Sequence, residues 1–320
     1  MPSDMLMAGR LLIGSLRDRT GGQSSGDGGD FSAVDPSAWT RVIGQSDEFR
    51  GSGLSGTGPR IDQRFIALQA GINLYDQRQD DGQRDVAGVA IAAGHMDSGV
   101  QHDSVLSGWI DAGQNRFNTA SLSAYGTHYG SNGWYVDGVL QATWYLSAAA
   151  NPDERTEGIS TQAHGIASSV EAGGIPWSPT DSVKLQPLWQ LIYQSISIDD
   201  ASNDFSAVQF GRAQSLASRL GAALSGDWIV GQHDRQHELN WYAELNFWRE
   251  FLARSRTSFA TFNGALPFYS NMQGNWGELK FGIKAALWSH VNVYVNVNYQ
   301  NKTDDERRSY GGNAGVIVDW

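Results

Sequence analysis

Three groups of residues have the types and spacing that could do chemistry. Gly51-Ser52-Gly53-Leu54-Ser55-Gly56 matches G-x-G-x-x-G, the turn that cradles a dinucleotide pyrophosphate. That site needs a buried strand before it and a helix after it, whereas Asp47-Glu48-Phe49-Arg50 precede these glycines and Pro59 follows. The stretch reads as a surface loop. His233 and His237 stand four apart, the spacing of a metal pair on a helix. Asp234-Arg235-Gln236 between them lacks the glutamate of H-E-x-x-H and reads as a turn, so no metal site is assigned. His95, His102 and His128 fall near predicted loop ends, where a barrel-based rim enzyme would set His beside Ser or Asp. No serine in a strand-to-helix elbow accompanies them, and no catalytic residue and no cofactor is assigned.

Ion pairing is the chemistry left. Asp137, Arg219, Glu244, Glu278, Lys280 and Lys284 fall on the polar positions of alternating stretches. Charges taken out of water need partners, and Arg10, Arg17 and Arg19 near the start of the chain are natural ones for the acids. The other reading is that all of these charges face water inside a bore.

The arginines are positioned by a helix. Pro2-Ser3-Asp4 opens it, with Ser3 as a cap and Asp4 in the first turn. Met5, Ala8, Leu12 and Leu16 follow at helical spacing, flanked by Leu6 and Ile13, and Gly21-Gly22 ends it. About 16 residues at about 1.5 Å each make a rod of roughly 24 Å. That is about the height of the apolar band of a transmembrane barrel, roughly 25 Å. Residues 21–37, rich in Gly, Ser and Asp, read as a linker.

From Ala38 onward the period changes to two and stays there. Val291, Val293, Val295, Val297 and Tyr299 alternate with Asn292, Tyr294, Asn296, Asn298 and Gln300. Leu239, Trp241, Ala243, Leu245 and Phe247 alternate with Asn240, Tyr242, Glu244 and Asn246. Twelve strands are predicted at 38–50, 61–78, 85–97, 118–130, 133–148, 159–174, 183–198, 205–228, 237–252, 274–289, 290–301 and 309–320. They are longer than the five or six residues usual in soluble sheets. Their wet face carries Asn, Gln, Tyr, Thr and small residues, as the wall of a watery lumen does. Connections near 98–117 and 253–273, both after odd-numbered strands, are long, while Ser131-Asn132-Gly133 and Ser289-His290 are tight turns after even ones. Short turns at one end and long loops at the other is the polarity of an outer-membrane barrel. Twelve strands lie between the eight whose side chains fill the lumen and the sixteen that leave a channel, so the bore has room for about one helix.

Composition agrees. Among 320 residues there are 38 Gly, 12 Trp, 11 Tyr and 12 Phe against 8 Pro, which suits a twisted sheet with aromatic belts. Mean hydropathy is −0.38 and no run of about 18 apolar residues exists, which excludes a transmembrane helix but not a barrel. Cysteine is absent, so there is neither a disulfide nor a thiolate metal site. A net charge of −11 argues against a nucleic-acid partner. Met5 to Leu16 is interrupted by Arg10 and followed by no small-residue cleavage site, so no secretory signal is read there; an envelope protein with this sequence is expected to be a C-terminal part.

Several stretches, in order, carry a family resemblance. Ala8-Gly9-Arg10-Leu11-Leu12-Ile13-Gly14-Ser15-Leu16-Arg17-Asp18-Arg19 resembles the junction helix of pertactin-type autotransporter translocator domains, the type V secretion proteins of Gram-negative bacteria. Trp39-Thr40-Arg41-Val42-Ile43-Gly44 is similar to the family's opening strand, and Leu185-Gln186-Pro187-Leu188-Trp189-Gln190-Leu191-Ile192-Tyr193-Gln194 to its Leu-x-Pro-x-x-Gln-x-x-Tyr strand. Ser215-Leu216-Ala217-Ser218-Arg219-Leu220-Gly221 and Gly274-Asn275-Trp276-Gly277-Glu278-Leu279 match further signatures. The ending Gly312-Asn313-Ala314-Gly315-Val316-Ile317-Val318-Asp319-Trp320 resembles the closing strand, with Trp where Phe is commoner.

The resemblance implies an all-β, twelve-stranded antiparallel barrel in the bacterial outer membrane with an N-terminal helix in its pore. Residues 1–20 would be the pore helix (Arg10, Leu12, Leu16, Arg17, Asp18, Arg19), 21–37 the linker and 38–320 the translocator barrel. Its partners would be outer-membrane lipid, the barrel-assembly machinery with periplasmic chaperones, and a passenger N-terminal to Met1. The machinery would read the last strand, through Trp320, Val318, Val316 and Tyr310. Some relatives release the passenger through an Asn in or beside the helix; here the first asparagine is Asn73. The alternatives are a simple porin, a rim enzyme, and, from another class, a soluble β-rich binding module. Heat-dependent gel mobility separates the last from any barrel, and conductance with and without residues 1–37 separates porin from plugged translocator.

Overall fold

The computed structural model describes residues 1–22, 37–50, 60–104, 108–151, 158–180, 182–203, 207–230, 237–261, 264–302 and 307–320. Twelve long strands form one antiparallel sheet: β1 Ser37–Arg50, β2 Arg60–Arg78, β3 Arg84–Ser104, β4 Gly108–Tyr129, β5 Tyr135–Asn151, β6 Ile159–Gly173, β7 Val183–Ile198, β8 Ala213–Val230, β9 His237–Glu250, β10 Gly274–Trp288, β11 Val291–Lys302 and β12 Arg307–Asp319. Each pairs with its neighbours in sequence. β1 also pairs with β12, from Ser37 opposite Asp319 to Glu48 opposite Arg308, which closes the sheet into a barrel. Closure leaves no open edge among the long strands, which a sheet in hydrocarbon requires.

Alternation follows from having lipid outside and a polar bore inside. Along β9, Tyr242, Glu244, Asn246 and Trp248 are buried while Leu245 and Phe247 are exposed. Ile66, Leu68, Ile91, Leu140, Leu279 and Val295 are likewise exposed on the outer face. A large exposed apolar surface of this kind marks a membrane-facing belt.

The structure departs from the predicted strands at the end with long connections. Most of 98–117 is strand, because β3 and β4 run on to Ser104 and from Gly108. Most of 253–273 is a hairpin of Arg254–Thr261 with Gly264–Asn271. The predicted strand 205–228 is broken by Gly211-Arg212: the short segment Ala207–Phe210 turns away and pairs with the hairpin, Val208 opposite Phe259, and β8 begins at Ala213. These extensions carry Ser, Thr, Asp and Arg rather than an apolar outer row, so the period-two signal is lost there.

The helix is also not continuous. α1 covers Pro2–Ile13 and α2 covers Leu16–Thr20. Gly14 has φ of 63°, and Ser15 caps α2 in a box with Asp18, each accepting a backbone N–H of the other. Ser3 is not the cap of α1; Pro2 takes the first helical position, which makes Met1 the cap residue. Among the described residues no helix is long and apolar enough to cross a membrane. The linker predicted at 21–37 lies outside the described residues from 23 to 36.

Candidate functional site

Both helices lie inside the barrel, and their burial is not confined to one face. Met5, Met7, Ala8, Leu12, Ile13 and Leu16 are buried, and so are Asp4, Arg17, Asp18 and Arg19. Asp4 accepts from Gln63 and Asn115, near the extended ends of β2 and β4. Arg19 reaches Asp137 at the start of β5. The segment therefore runs down the bore from the end with long connections to the end with tight turns.

Wall side chains hold the helix by its backbone. Tyr145 donates to the Met5 carbonyl at 2.9 Å, Gln194 to that of Leu6 at 3.1 Å and Gln141 to that of Gly9 at 3.1 Å. Arg41 and Gln69 both donate to the Leu12 carbonyl, at 3.0 and 3.1 Å, and Gln190 donates to that of Gly14 at 2.8 Å. Tyr294 donates to the Asp18 carbonyl at 3.0 Å. Its ring also lies against Gly21, where an added Cβ would approach to 2.4 Å, and Gly21 has φ of 73°. Only glycine fits that conformation and that space.

Below the break the contacts are charged. Arg17 meets Glu244 at 3.2 Å and donates to Gln186 at 2.7 Å. Arg19 pairs with Asp137, which also accepts from Thr127. Lys280 lies 2.9 Å from Asp18. Arg219 bridges Glu171 at 3.0 Å and Glu244 at 3.6 Å. Glu171 in turn accepts from the Leu16 N–H and from the Tyr135 hydroxyl. Burial alone would raise the pKa of Asp18, but the charges of Lys280 and Arg41 outweigh it and hold the carboxyl below its ordinary value.

Asp137, Arg219, Glu244, Glu278 and Lys280 are all buried and inward-facing. Glu278 takes no arginine among the described residues; it accepts from Asn246, Trp248 and Gln300. Among the described residues Arg10 meets no carboxylate either, and it lies over the Trp276 and Trp248 rings, 4.9 and 5.9 Å from their centroids. The two indoles stack 5.5 Å apart. Sequence reasoning passed over Glu171, Glu250, Arg41, Asp47 and Arg307. All five share the inward parity of their strands, though Arg307 falls just ahead of the strand predicted at 309–320.

The last strand presents Trp320, Val318, Val316 and Tyr310 on the outer face, with Trp320 52% and Tyr310 59% exposed. Ten residues of strand tilted by about 40° cover a height of roughly 26 Å, so the two aromatics stand at opposite rims of an apolar band roughly 25 Å tall. Trp228 and Trp288 are exposed near the tight-turn end, beside Trp320 in height.

The structure does not bring the histidines together. His95 bonds Asn118 and Asp97 on the outer face of β3, while His128 bonds Asp85 near the opposite rim. His102 is exposed at the far end of β3. The G-x-G-x-x-G at 51–56 and the side chains of His233 and His237 lie outside the described residues. No group of acids and histidines that could hold a metal occurs among the described residues.

Comparison with known proteins agrees with this geometry. The chain is similar to the probable autotransporter YfaL of Escherichia coli strain K12, 23% identical over 72% of this chain and 18% of that protein. It is 30% identical to the adhesin BmaC autotransporter of Brucella suis biovar 1 over 69% of this chain and 7% of that protein. The chain thus spans less than a fifth of the length of either relative. In fold it resembles the transport unit of the autotransporter AIDA-I from E. coli, with a TM-score of 0.69 at 16% identity over 100% of this chain and 97% of that one. It also resembles the translocator domain of NalP from Neisseria meningitidis, with a TM-score of 0.63 at 13% identity over 91% and 90%. The sequence model of the autotransporter beta-domain matches residues 38–298, and the chain belongs to that family of outer-membrane translocator barrels.

Proposed function

We propose that this barrel carries a passenger polypeptide attached ahead of the helix to the cell surface and afterwards keeps α1 and α2 in the bore as the passenger's anchor. The observation that carries the reading is the direction of the helical segment. Its first turn lies among the extended strand ends and its last turn at the tight-turn rim, beside the start of β1. In an outer-membrane barrel those are the outer and periplasmic ends. A chain arriving from outside would pass down the bore and join the wall at its periplasmic edge.

On this reading residues 1–20 are the tether, 21–37 the linker and 38–320 the translocator. The assembly machinery takes the barrel from periplasmic chaperones and reads β12 through Trp320, Val318, Val316 and Tyr310. The periplasm holds no ATP, so folding of the passenger outside supplies the direction of transport. The chain has no catalytic step of its own. The test is a reporter domain joined ahead of Met1 behind an export signal and expressed in a Gram-negative host. Protease added to intact cells should remove the reporter and leave a heat-modifiable barrel in the outer membrane. A reporter that stays in the periplasm beside a correctly inserted barrel would contradict the proposal.

A further inference from the structure

Charged side chains on the outer face gather in one sector of the wall, just beyond the apolar band at the end with long connections. Arg308 on β12 and Arg64 on β2 flank the outer part of β1. Both are exposed and point away from the bore, since their neighbours Ser309, Gln63 and Phe65 are buried. Tyr310, Ser46 and Arg64 form one cross-strand row, and Arg308 stands two residues outward of Tyr310. At a tilt of about 40°, two residues of strand rise by roughly 5 Å. Tyr310 lies at the outer rim of the apolar band, so the two arginines stand at the level of the lipid headgroups.

Neither arginine has an ion pair among the described residues, because the acids nearest to them are engaged elsewhere. Arg60 takes Glu48 at 3.0 Å and Asp62 at 3.6 Å. Asp97, directly across from Arg64, meets Arg116 at 2.8 Å and His95 at 3.0 Å instead. The charges of Arg64 and Arg308 are thus left uncancelled. At about the same level β6 and β7 carry only the neutral Gln162, Ser195 and Ser197 beside His164. Arg249 on β9 bonds Asn275 and lies over the Phe251 ring. Two strand spacings of about 4.8 Å across β1 and two residues of about 3.3 Å along it put the Cα atoms of Arg64 and Arg308 roughly 12 Å apart.

From this arrangement we infer a lipid site on the outer wall: Arg64 and Arg308 bind the phosphates of a phosphorylated sugar headgroup, the lipid A type found in the outer leaflet of a Gram-negative outer membrane. Its disaccharide carries a phosphate at each end, and two arginines on either side of one strand can meet both. A guanidinium offers a phosphate two parallel N–H donors in a fixed fork, which suits Arg to this contact better than Lys. Below the headgroup the acyl chains lie against Tyr310, Val42, Ile66 and Leu68, all exposed on the outer face. The site rests on the orientation of the barrel in its membrane and not on the passenger, so it is independent of the transport reading.

The test is native mass spectrometry of the full chain in detergent, titrated with lipid A that bears both phosphates. One lipid should bind saturably, and lipid A stripped of both phosphates should bind roughly tenfold more weakly or not at all. The double variant Arg64→Gln with Arg308→Gln should lose intact lipid A to a similar degree, while Arg249→Gln should bind as the wild type does. Heat-dependent gel mobility confirms that each variant is folded. Inorganic phosphate in amounts equal to the lipid should not displace it. Equal binding of the two lipids, a folded double variant that binds normally, an equal loss in Arg249→Gln, or displacement by inorganic phosphate would each overturn the inference.

Discussion

Arg17 and Glu244 are 227 residues apart in the chain and 3.2 Å apart in the bore. Both are almost wholly buried, so neither charge can be left without the other at small cost. Removing one partner of a buried pair costs about 3–5 kcal/mol, mainly through the charge left behind. Arg17→Ala should fall at the low end of that range, because Arg219 stays 3.6 Å from Glu244. A double-mutant cycle of Arg17→Ala with Glu244→Gln, read by denaturant unfolding in detergent, should give a coupling well above that of a surface pair. Additive effects would show that the contact does not hold the helix.

The pairing of Asp18 with Lys280 sets a pH dependence. The carboxyl is held below its ordinary value, so its stabilising contribution is complete above about pH 4, the usual pKa of an unfolded aspartate. It is lost only as the pH falls further, through the folded-state pKa. Trypsin should therefore find Arg17 and Arg19 equally protected at pH 7 and pH 5 when cleavage is scaled to a control peptide. Asp18→Asn should loosen the segment at both. Wild-type protection that disappears between pH 7 and pH 5 would contradict this account.

Trp320→Asp should prevent the barrel from reaching the outer membrane. A charge on the lipid face costs about 2–4 kcal/mol at mid-depth and less near the rim, where Trp320 lies. The energetic effect is thus modest, and the larger loss expected is recognition of β12 by the assembly machinery. Fractionated cells should contain little heat-modifiable mutant protein. Normal amounts would show that the last residue carries no such signal.

The helix should remain covalently joined to the barrel. Release by attack of an asparagine amide on its own backbone needs an Asn in or beside the helix, and the sequence has none before Asn73. Asp4 and Asp18 are committed to other partners, and an ionised carboxylate lacks the amide nitrogen that closes a succinimide. Intact mass of folded protein from a protease-deficient host should equal that of the uncleaved chain. A barrel beginning between Asp4 and Arg19 would contradict this.

How far the sequence announces this structure differs from place to place. The membrane-facing rows are plain because lipid accepts only apolar side chains, so Val295 and Val297 or Leu245 and Phe247 mark their strands without help. Beyond the membrane that constraint vanishes, and the outer parts of β3 and β4 and the hairpin at 254–271 look like loops. The break at Gly14 was written in Ser15 and Asp18, a capping box, but the apolar spacing continues through it from Leu12 to Leu16 and hides it. Which acid each arginine meets was not legible. Parity places Asp137, Glu171 and Glu244 inside, but the pairing depends on the stagger of twelve strands and the depth of the helix, and no local pattern encodes either.

The central claim is that α1 and α2 fill the bore. Single-channel conductance in planar bilayers tests it most directly, comparing the full chain with a version lacking residues 1–37, both shown to be heat-modifiable. The full chain should give small conductance steps and the shortened one much larger, steady steps. Equal conductance in the two would mean that the helix does not occupy the pore.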